Sequence, residues 1–211
     1  MPLDLHQIYD THELGVWELT ESIEELLALY KFLPQEEQLW ASFRSDRRKK
    51  EWLATRTLCQ VILKGKYAIK NTNEGKPYID NHQRHISISH SDTYIAVMIT
   101  SAPHVGIDIE NLSRPVEKVA KKFLSPEEQA FCDAENERVR TMLHWCTKEA
   151  IFKAIEEKDI HFSQQINLIL DDQILKRKSF ECTYTNKEGT QQILPVQYQI
   201  HKNQMMAFTF F

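Results

Sequence analysis

Residues 85–110, HISISHSDTYIAVMITSAPHVGIDIE, decide the fold class of this chain. Polar and apolar residues alternate over His85–His90, as they do in a strand with one buried face. Tyr94–Thr100 and Val105–Glu110 are two further apolar segments of strand length, and the first of the short turns between the three lies at Ser91–Asp92. Tight turns join antiparallel neighbours, so this stretch predicts an antiparallel sheet.

Helical patterns flank this stretch on both sides. Apolar residues recur at helical spacing between Asp46 and Leu63, and a second long helix is predicted from about Glu137 to about Glu157. Capping boxes at Ser22 and Ser125 begin two shorter helices. Further strands are predicted at Leu3–Tyr9, Gly15–Glu18, Ile166–Leu170, Phe180–Tyr184, Gln192–Ile200 and Met205–Phe211.

The order of these elements indicates two lobes. Helices followed by strands occur once in each half of the 211 residues, and the break falls near Pro103. We therefore predict an α+β fold with one lobe at residues 1–104 and a second, similar-sized lobe at residues 105–211.

Composition and charge exclude several functional classes. The net charge is −4 and the isoelectric point about 6.1, so no basic field covers the whole molecule and we expect no nucleic-acid partner. The longest apolar runs, such as Ile95–Ile99, are too short to cross a membrane, and we expect no export signal. Four widely spaced cysteines fit reduced thiols in the cytoplasm, where we expect the protein to reside.

Two carboxylates stand side by side in the pentapeptide GIDIE at 106–110. On a strand Asp108 and Glu110 share one face, while Ile107 and Ile109 point into a core. Neighbouring carboxylates repel each other unless a cation neutralises them, and Mg²⁺ binds one or two carboxylates together with substrate phosphates. The alternative is a solvated strand face. A zinc site built from His82, His85 and His90 lacks the paired cysteines or the helix with two histidines that usually accompany zinc.

The second helix carries WCTKEAIFK at 145–153. Helical spacing stacks Trp145, Glu149 and Lys153 on one face, with Lys148 alongside. The pattern places a carboxylate between two ammonium groups beside an aromatic side chain, which suits a base close to phosphate. An ordinary Glu–Lys pair explains the same spacing.

Two further groups could bind phosphate. Lys76 lies in a Gly-Lys-Pro turn, and Ser89 and His90 end a strand. RRKK at 47–50 crowds cations at a helix start, the end where the helix dipole disfavours them, and an anionic ligand would relieve this. A structural histidine and a solvated basic turn are the respective alternatives.

The order of these motifs is more specific than any one of them. Gly-Lys-Pro, Ile-Ser-His-Ser, Gly-Ile-Asp-Ile-Glu, Phe-Leu-Ser-Pro-Glu-Glu and Trp-x-x-Lys-Glu-Ala-x-x-Lys follow one another between about Arg47 and Lys153. In this order they resemble the 4′-phosphopantetheinyl transferases of the two-lobed, surfactin-synthetase-activating type. The resemblance implies a pseudo-dimer of two α+β lobes with antiparallel sheets, with coenzyme A and the active site in the cleft between them.

The resemblance also implies roles for individual residues. The family's Mg²⁺ ligands correspond to Asp108, Glu110 and Glu149, and its lysines near the pyrophosphate to Lys148 and Lys153. The coenzyme-binding positions of the first lobe correspond to Arg47, Lys76, Ser89 and His90, with Arg47 and His90 near the ribose 3′-phosphate. Arg44 and Arg48 lie close enough in sequence to compete with Arg47 for that role.

The implied reaction moves phosphopantetheine from coenzyme A to a serine of an apo acyl carrier protein or carrier domain, with Mg²⁺ as cofactor. We expect Glu149 to take the serine proton, Lys153 to stabilise developing charge, and the protein to act as a monomer. Carrier proteins of this class present an acidic helix, so we expect a basic docking surface with an apolar centre. The candidates are Lys118, Lys121, Lys122, Phe123 and Leu124.

Two other functions remain open from the residues alone. A Mg²⁺-dependent phosphohydrolase or nucleotidyl enzyme would use the same carboxylates. A binding module without catalytic activity could use the basic residues 44–50, although the acidic isoelectric point disfavours nucleic acid as its ligand.

Overall fold

A computed structural model of the chain describes residues 3–34, 36–133, 136–155 and 157–211. These residues form helices and antiparallel sheets, so the predicted α+β class with antiparallel pairing is confirmed. The chain divides into two compact units, Met1–Ala102 and Pro103–Phe211. Within the described residues no helix has the length and apolar character needed to cross a bilayer.

The first unit is built on a four-stranded antiparallel sheet. Its strands and helices are β1 (Leu3–Ile8), β2 (His12–Glu18), α1 (Ile23–Leu29), α2 (Glu36–Ala41), α3 (Asp46–Leu63), β3 (Ile69–Asn71), β4 (Pro77–Ile79), β5 (His85–His90) and β6 (Tyr94–Thr100). The sheet order is β1-β2-β6-β5, and β3 pairs with β4 in a separate two-stranded ladder.

The long helix α3 buries the face that the sequence predicts. Trp52, Leu58 and Ile62 are all buried in the core of the unit. Ser45 caps the start of the helix, and Lys64 ends it in the left-handed conformation with φ of 51°.

The second unit is built on a five-stranded antiparallel sheet. Its strands and helices are β7 (Val105–Asn111), α4 (Pro126–Cys132), α5 (Glu137–Ala154), α6 (Phe162–Gln165), β8 (Ile166–Leu168), β9 (Ser179–Thr185), β10 (Gln191–His201) and β11 (Gln204–Phe210). The sheet order is β7-β11-β10-β9-β8. Short 3₁₀ helices occupy Val116–Lys122 and Ile174–Lys176.

The second long helix ends earlier than predicted. α5 stops at Ala154 because Ile155 adopts an extended conformation, with φ of −83° and ψ of 155°. The sequence did not predict the two 3₁₀ helices or the β3–β4 ladder, since segments of three to seven residues carry too little periodicity.

A glycine lets α5 approach β7 closely. A Cβ atom on Gly106 would lie 1.8 Å from the carbonyl oxygen of Ala150, so only hydrogen fits between the strand and the helix backbone. Side chains two residues apart on a strand share a face, so Asp108 and Glu110 lie on the same side of β7 as this contact. The glycine therefore brings the acidic strand face against the helix that carries Glu149.

Candidate active site

The acidic strand face is largely removed from water. Asp108 is 5% exposed and Glu110 is 9% exposed, whereas Ile107 and Ile109 are fully buried. Burial raises the pKa of Glu110, and the charge of Asp108 raises it further. All four side chains are therefore buried, and the alternative of a solvated strand face is not what the structure shows.

Glu149 on α5 joins these two carboxylates. Burial raises the pKa of Glu149 to about 7, and the charge of Asp108 adds to the effect. The charge of Lys153 lowers this pKa, but the effect of burial is larger. A carboxyl group that titrates near neutral pH suits proton transfer under ordinary conditions.

Two cations hold the strand carboxylates. The ammonium group of Lys153 donates to Asp108 Oδ1 at 2.8 Å and to the carbonyl oxygen of Ile107 at 2.9 Å. The guanidinium group of Arg114 pairs with Glu110 Oε1, and the indole Nε1 of Trp145 donates to the same oxygen at 3.2 Å. Arg114 also lies 5.7 Å from the centre of the Trp145 ring.

Arg114 is a site residue that sequence reasoning missed. It follows Glu110 by four positions, which is a contact distance on a helix, but β7 ends at Asn111 and a turn intervenes. The spacing alone therefore predicted nothing, and a single arginine in a turn carries no other signal.

The donor chemistry of the cluster fits a hard divalent cation. All three acidic side chains are carboxylates, and the charges of Asp108 and Glu110 both raise the pKa of Glu149. Within the residues that the structure describes, no three His, Cys, Asp or Glu side chains converge closely enough to hold a metal ion as they stand. The contacts supply a reason: Asp108 points an oxygen at Lys153, and Glu110 points one at Arg114. A metal ion at these oxygens would have to displace the two cations.

Lys148 does not belong to this cluster, which corrects the role predicted for it. Its side chain is fully buried, and its ammonium group donates to Glu128 Oε2 at 2.6 Å and to the carbonyl oxygens of Phe162 and Ile166 at 3.0 and 2.6 Å. These three bonds use all three ammonium hydrogens, so none is left for a pyrophosphate. Sequence spacing placed Lys148 beside Glu149 but could not show which side of α5 it faces.

Glu128, the partner of Lys148, connects three segments of the second unit. Its Oε2 accepts from the backbone N–H of Ser125 at 2.8 Å, which completes the predicted capping box of α4. Its Oε1 accepts from the backbone N–H of Leu168 in β8 at 2.9 Å. The buried pair therefore ties α4 and α5 to the segment that runs from α6 into β8.

Replacing Lys148 with Met should lower the free energy of unfolding by about 3–5 kcal/mol, because it leaves the buried carboxylate of Glu128 without its cation. The double variant Lys148→Met/Glu128→Gln should recover part of this loss, because no charge is then left unpaired in the core. Urea unfolding measures both effects. Unchanged stability of Lys148→Met would contradict the structural role of this buried pair.

In the first unit, α3 meets the end of β5. Arg47 bonds Glu51 at 2.8 Å on its own helix and Asp92 at 3.3 Å in the turn after β5. Thr55 Oγ1 lies 3.1 Å from His90 Nε2. The structure thus brings Arg47 and His90 to the same contact between α3 and the end of β5.

The other two predicted binding residues of this unit lie on the elements expected from the sequence. Ser89 is buried at the end of β5. Lys76 lies next to Gly75, whose φ of 89° allows the turn between β3 and β4. The backbone N–H of Lys76 donates to Thr72 Oγ1 at 3.3 Å, which holds the turn together.

The predicted docking surface is wrong in its apolar centre. Phe123 and Leu124 are buried, at 2% and 5% exposure, and Phe123 packs against Trp145 at 5.1 Å between ring centres. They cannot form the apolar centre of a surface. The lysines at 118, 121 and 122 are exposed on the 3₁₀ helix, and the exposed apolar side chain among them is Val119.

Comparison with known proteins supports the assignment of the second unit. The family model described as the 4′-phosphopantetheinyl transferase superfamily matches residues 104–201. A protein of Aneurinibacillus migulanus named 4′-phosphopantetheinyl transferase gsp is 36% identical over 110 residues, which are 50% of this chain and 46% of that protein. A 4′-phosphopantetheinyl transferase of Bacillus subtilis is 37% identical over 83 residues, which are 37% of each.

These alignments span less than half the length of either relative. The matched residues 104–201 contain the whole acidic cluster on β7 and α5, together with Arg114 and Lys153. Over these residues the chain is similar to the 4′-phosphopantetheinyl transferase superfamily, which is the family that its motifs resemble.

Proposed function

We propose that this protein transfers the 4′-phosphopantetheine group of coenzyme A to a serine of an apo acyl or peptidyl carrier protein, with release of adenosine 3′,5′-bisphosphate. One observation carries the proposal. Asp108, Glu110, Glu149 and Lys153 form a single charge cluster on β7 and α5, within the residues that match the superfamily model.

The reaction is a substitution at the phosphorus atom that bears pantetheine. The serine oxygen forms the new P–O bond, and the P–O bond to adenosine 3′,5′-bisphosphate breaks. Asp108 and Glu110 would hold Mg²⁺, which when bound offsets the negative charge that develops on the diphosphate oxygens. Lys153, already bonded to Asp108, would add a second positive charge at the same place.

Glu149 would take the proton of the serine hydroxyl. A hydroxyl group is a poor nucleophile at neutral pH, and a positioned carboxylate with a pKa near 7 accepts its proton as the new bond forms. Glu149 is also a candidate third metal ligand, and one carboxylate can serve both roles through its two oxygens.

The first unit would bind the nucleotide end of coenzyme A. Arg47 and His90 would meet the ribose 3′-phosphate, with Lys76 and Ser89 as further contacts. Thr55 holds the His90 ring at 3.1 Å, so it would orient the imidazole toward that phosphate. Arg47 would exchange its exposed partner Asp92 for the phosphate.

The similar topology of the two units supports the proposed pseudo-dimer. In each unit the strand before the long helix, β2 or β7, pairs antiparallel with the last strand, β6 or β11. β2 carries Gly15 beneath α3, and β7 carries Gly106 beneath α5. The further expectations of the resemblance, a coenzyme site between the lobes, a monomeric enzyme and a cytoplasmic location, are parts of this proposal.

The carrier protein would dock on the second unit. The exposed lysines at 118, 121 and 122 match an acidic helix in charge, and Val119 replaces the buried Phe123 as the apolar centre. A cavity of about 400 Å³ lies beside Lys121 and Ser125.

The test is to incubate the protein with coenzyme A, Mg²⁺ and an apo acyl carrier protein, and to measure the mass of the carrier. We expect the carrier to gain one phosphopantetheine group, and no gain when a chelator is present. The Asp108→Asn variant should need about 10-fold more Mg²⁺ for its half-maximal rate, because one ligand loses its charge. Cleavage of coenzyme A without modification of the carrier would favour a phosphohydrolase instead.

A further inference from the structure

Arg114 is the most exposed member of the charge cluster around β7. Its side chain is 52% exposed, whereas that of its partner Glu110 is 11% exposed. Lys153, the other cation of the cluster, is less exposed at 27% and is also bonded to the backbone of Ile107. Of the two cations, Arg114 can therefore leave its carboxylate for solvent at the lower cost.

The backbone that carries Arg114 is held by several hydrogen bonds, although its side chain is half-exposed. Asn111 Oδ1 accepts from the backbone N–H of Ser113 at 2.9 Å, from its hydroxyl group at 2.6 Å, and from Asn203 Nδ2 at 2.8 Å. The backbone N–H of Arg114 donates to the carbonyl oxygen of Asn111 at 2.9 Å. The turn thus presents the guanidinium group to Glu110 without further ordering of the chain.

We propose that Arg114 is a positioning residue that holds Glu110 while no divalent cation is bound and releases it when a metal arrives together with a diphosphate. This inference rests on the proposed function, because it takes Glu110 as a metal ligand. A guanidinium group on Glu110 Oε1 competes directly with a cation for that oxygen. A diphosphate group offers the displaced guanidinium a new anionic partner, so the two ligands should bind cooperatively.

Trp145 contacts both members of the Arg114–Glu110 pair. Its Nε1 donates to the same Glu110 oxygen, and its ring faces the guanidinium group at 5.7 Å. The indole hydrogen bond keeps Glu110 in place after Arg114 leaves, and the ring face remains available to the cation. Release of Arg114 therefore costs one ion pair and leaves the orientation of the carboxylate intact.

The test is to measure Mn²⁺ binding by electron paramagnetic resonance with the wild type and with Arg114→Met, which keeps the length of the side chain and removes its charge. Without coenzyme A the variant should bind Mn²⁺ about 3- to 10-fold more tightly, the range expected for a partly exposed charged pair. With saturating coenzyme A the advantage should disappear or reverse, because the variant lacks the partner for the diphosphate. In thermal denaturation without metal, the variant should melt at a lower temperature, since the carboxylates lose a counter-charge.

Arg138→Met is the matched control. Arg138 is 59% exposed and pairs with Glu117 at 3.0 Å in the same unit. Its replacement therefore removes the same charge at a place outside the acidic cluster. This variant should bind Mn²⁺ within about twofold of the wild type. If the wild type binds Mn²⁺ and Arg114→Met binds it equally or more weakly, this inference is overturned while the proposed function stands. If the wild type binds no divalent cation, the metal site of the proposed function fails and the inference fails with it.

Discussion

Replacing Glu149 with Gln is expected to lower kcat by about 10²- to 10⁴-fold, while the affinities for coenzyme A and Mg²⁺ stay close to those of the wild type. Gln keeps the size of the side chain and one oxygen but cannot accept the serine proton. The variant should fold normally, because burial already favours the neutral form of the Glu149 carboxyl group and Gln is a neutral side chain of the same size. Steady-state transfer to an apo carrier protein measures the effect.

Two comparisons make this result specific. Glu181→Gln, an exposed carboxylate on β9, removes the same charge and should leave kcat unchanged. If Glu149 acts mainly as a metal ligand, the Gln variant should instead bind Mg²⁺ weakly and recover activity with excess metal. A wild-type kcat in Glu149→Gln would leave the residue with neither role.

The same carboxylate predicts a pH dependence. A base works only when it is ionised, so a pKa raised to about 7 means that activity is lost as the pH falls through that value. The kcat/KM for coenzyme A should therefore fall below about pH 7 in the wild type. The Gln variant should lack this decline over the same range.

Replacing Gly106 with Ala is expected to destabilise the second unit by more than about 3 kcal/mol, the upper part of the range for overpacked cores. The added methyl group would lie 1.8 Å from the carbonyl oxygen of Ala150 and 2.9 Å from the backbone nitrogen of Ala154. Both neighbours are backbone atoms of α5, so the whole helix must move away from β7. Urea unfolding followed by tryptophan fluorescence measures the loss.

Gly15→Ala is the natural comparison. Its methyl group would lie 2.8 Å from the ends of the Leu58 and Ile62 side chains, which can rotate away. We expect a cost of about 1 kcal/mol there. Equal stabilities for the two variants would mean that α5 does not depend on Gly106 for its close approach to β7.

The sequence predicted those features that depend on periodicity and on neighbours along the chain. The alternation in GIDIE placed Asp108 and Glu110 on one strand face, and the capping residues Ser22 and Ser125 began the helices where the structure has them. The electrostatic interaction of Glu149 with Lys153, one turn apart on α5, also follows from spacing alone.

Features that depend on contacts between distant segments could not be predicted in this way. Lys148 was assigned to the coenzyme because it matches a lysine in the motif of the resembled family, but its partner Glu128 lies 20 residues earlier in the chain. Phe123 looked like a surface residue because lysines precede it, although Trp145 covers it. In each case the deciding contact comes from an element that the local pattern does not contain.

The buried pair of Lys148 and Glu128 also affects how the protein behaves toward other copies of itself. β8 is an edge strand, and the unpaired N–H and C=O groups of an edge can recruit a strand from another molecule. Here the carbonyl oxygen of Ile166 already binds the ammonium group of Lys148, and the N–H of Leu168 already binds the carboxylate of Glu128. A foreign strand would have to displace both charges from the core to pair with β8, so the same ion pair that joins the segments protects this edge from aggregation.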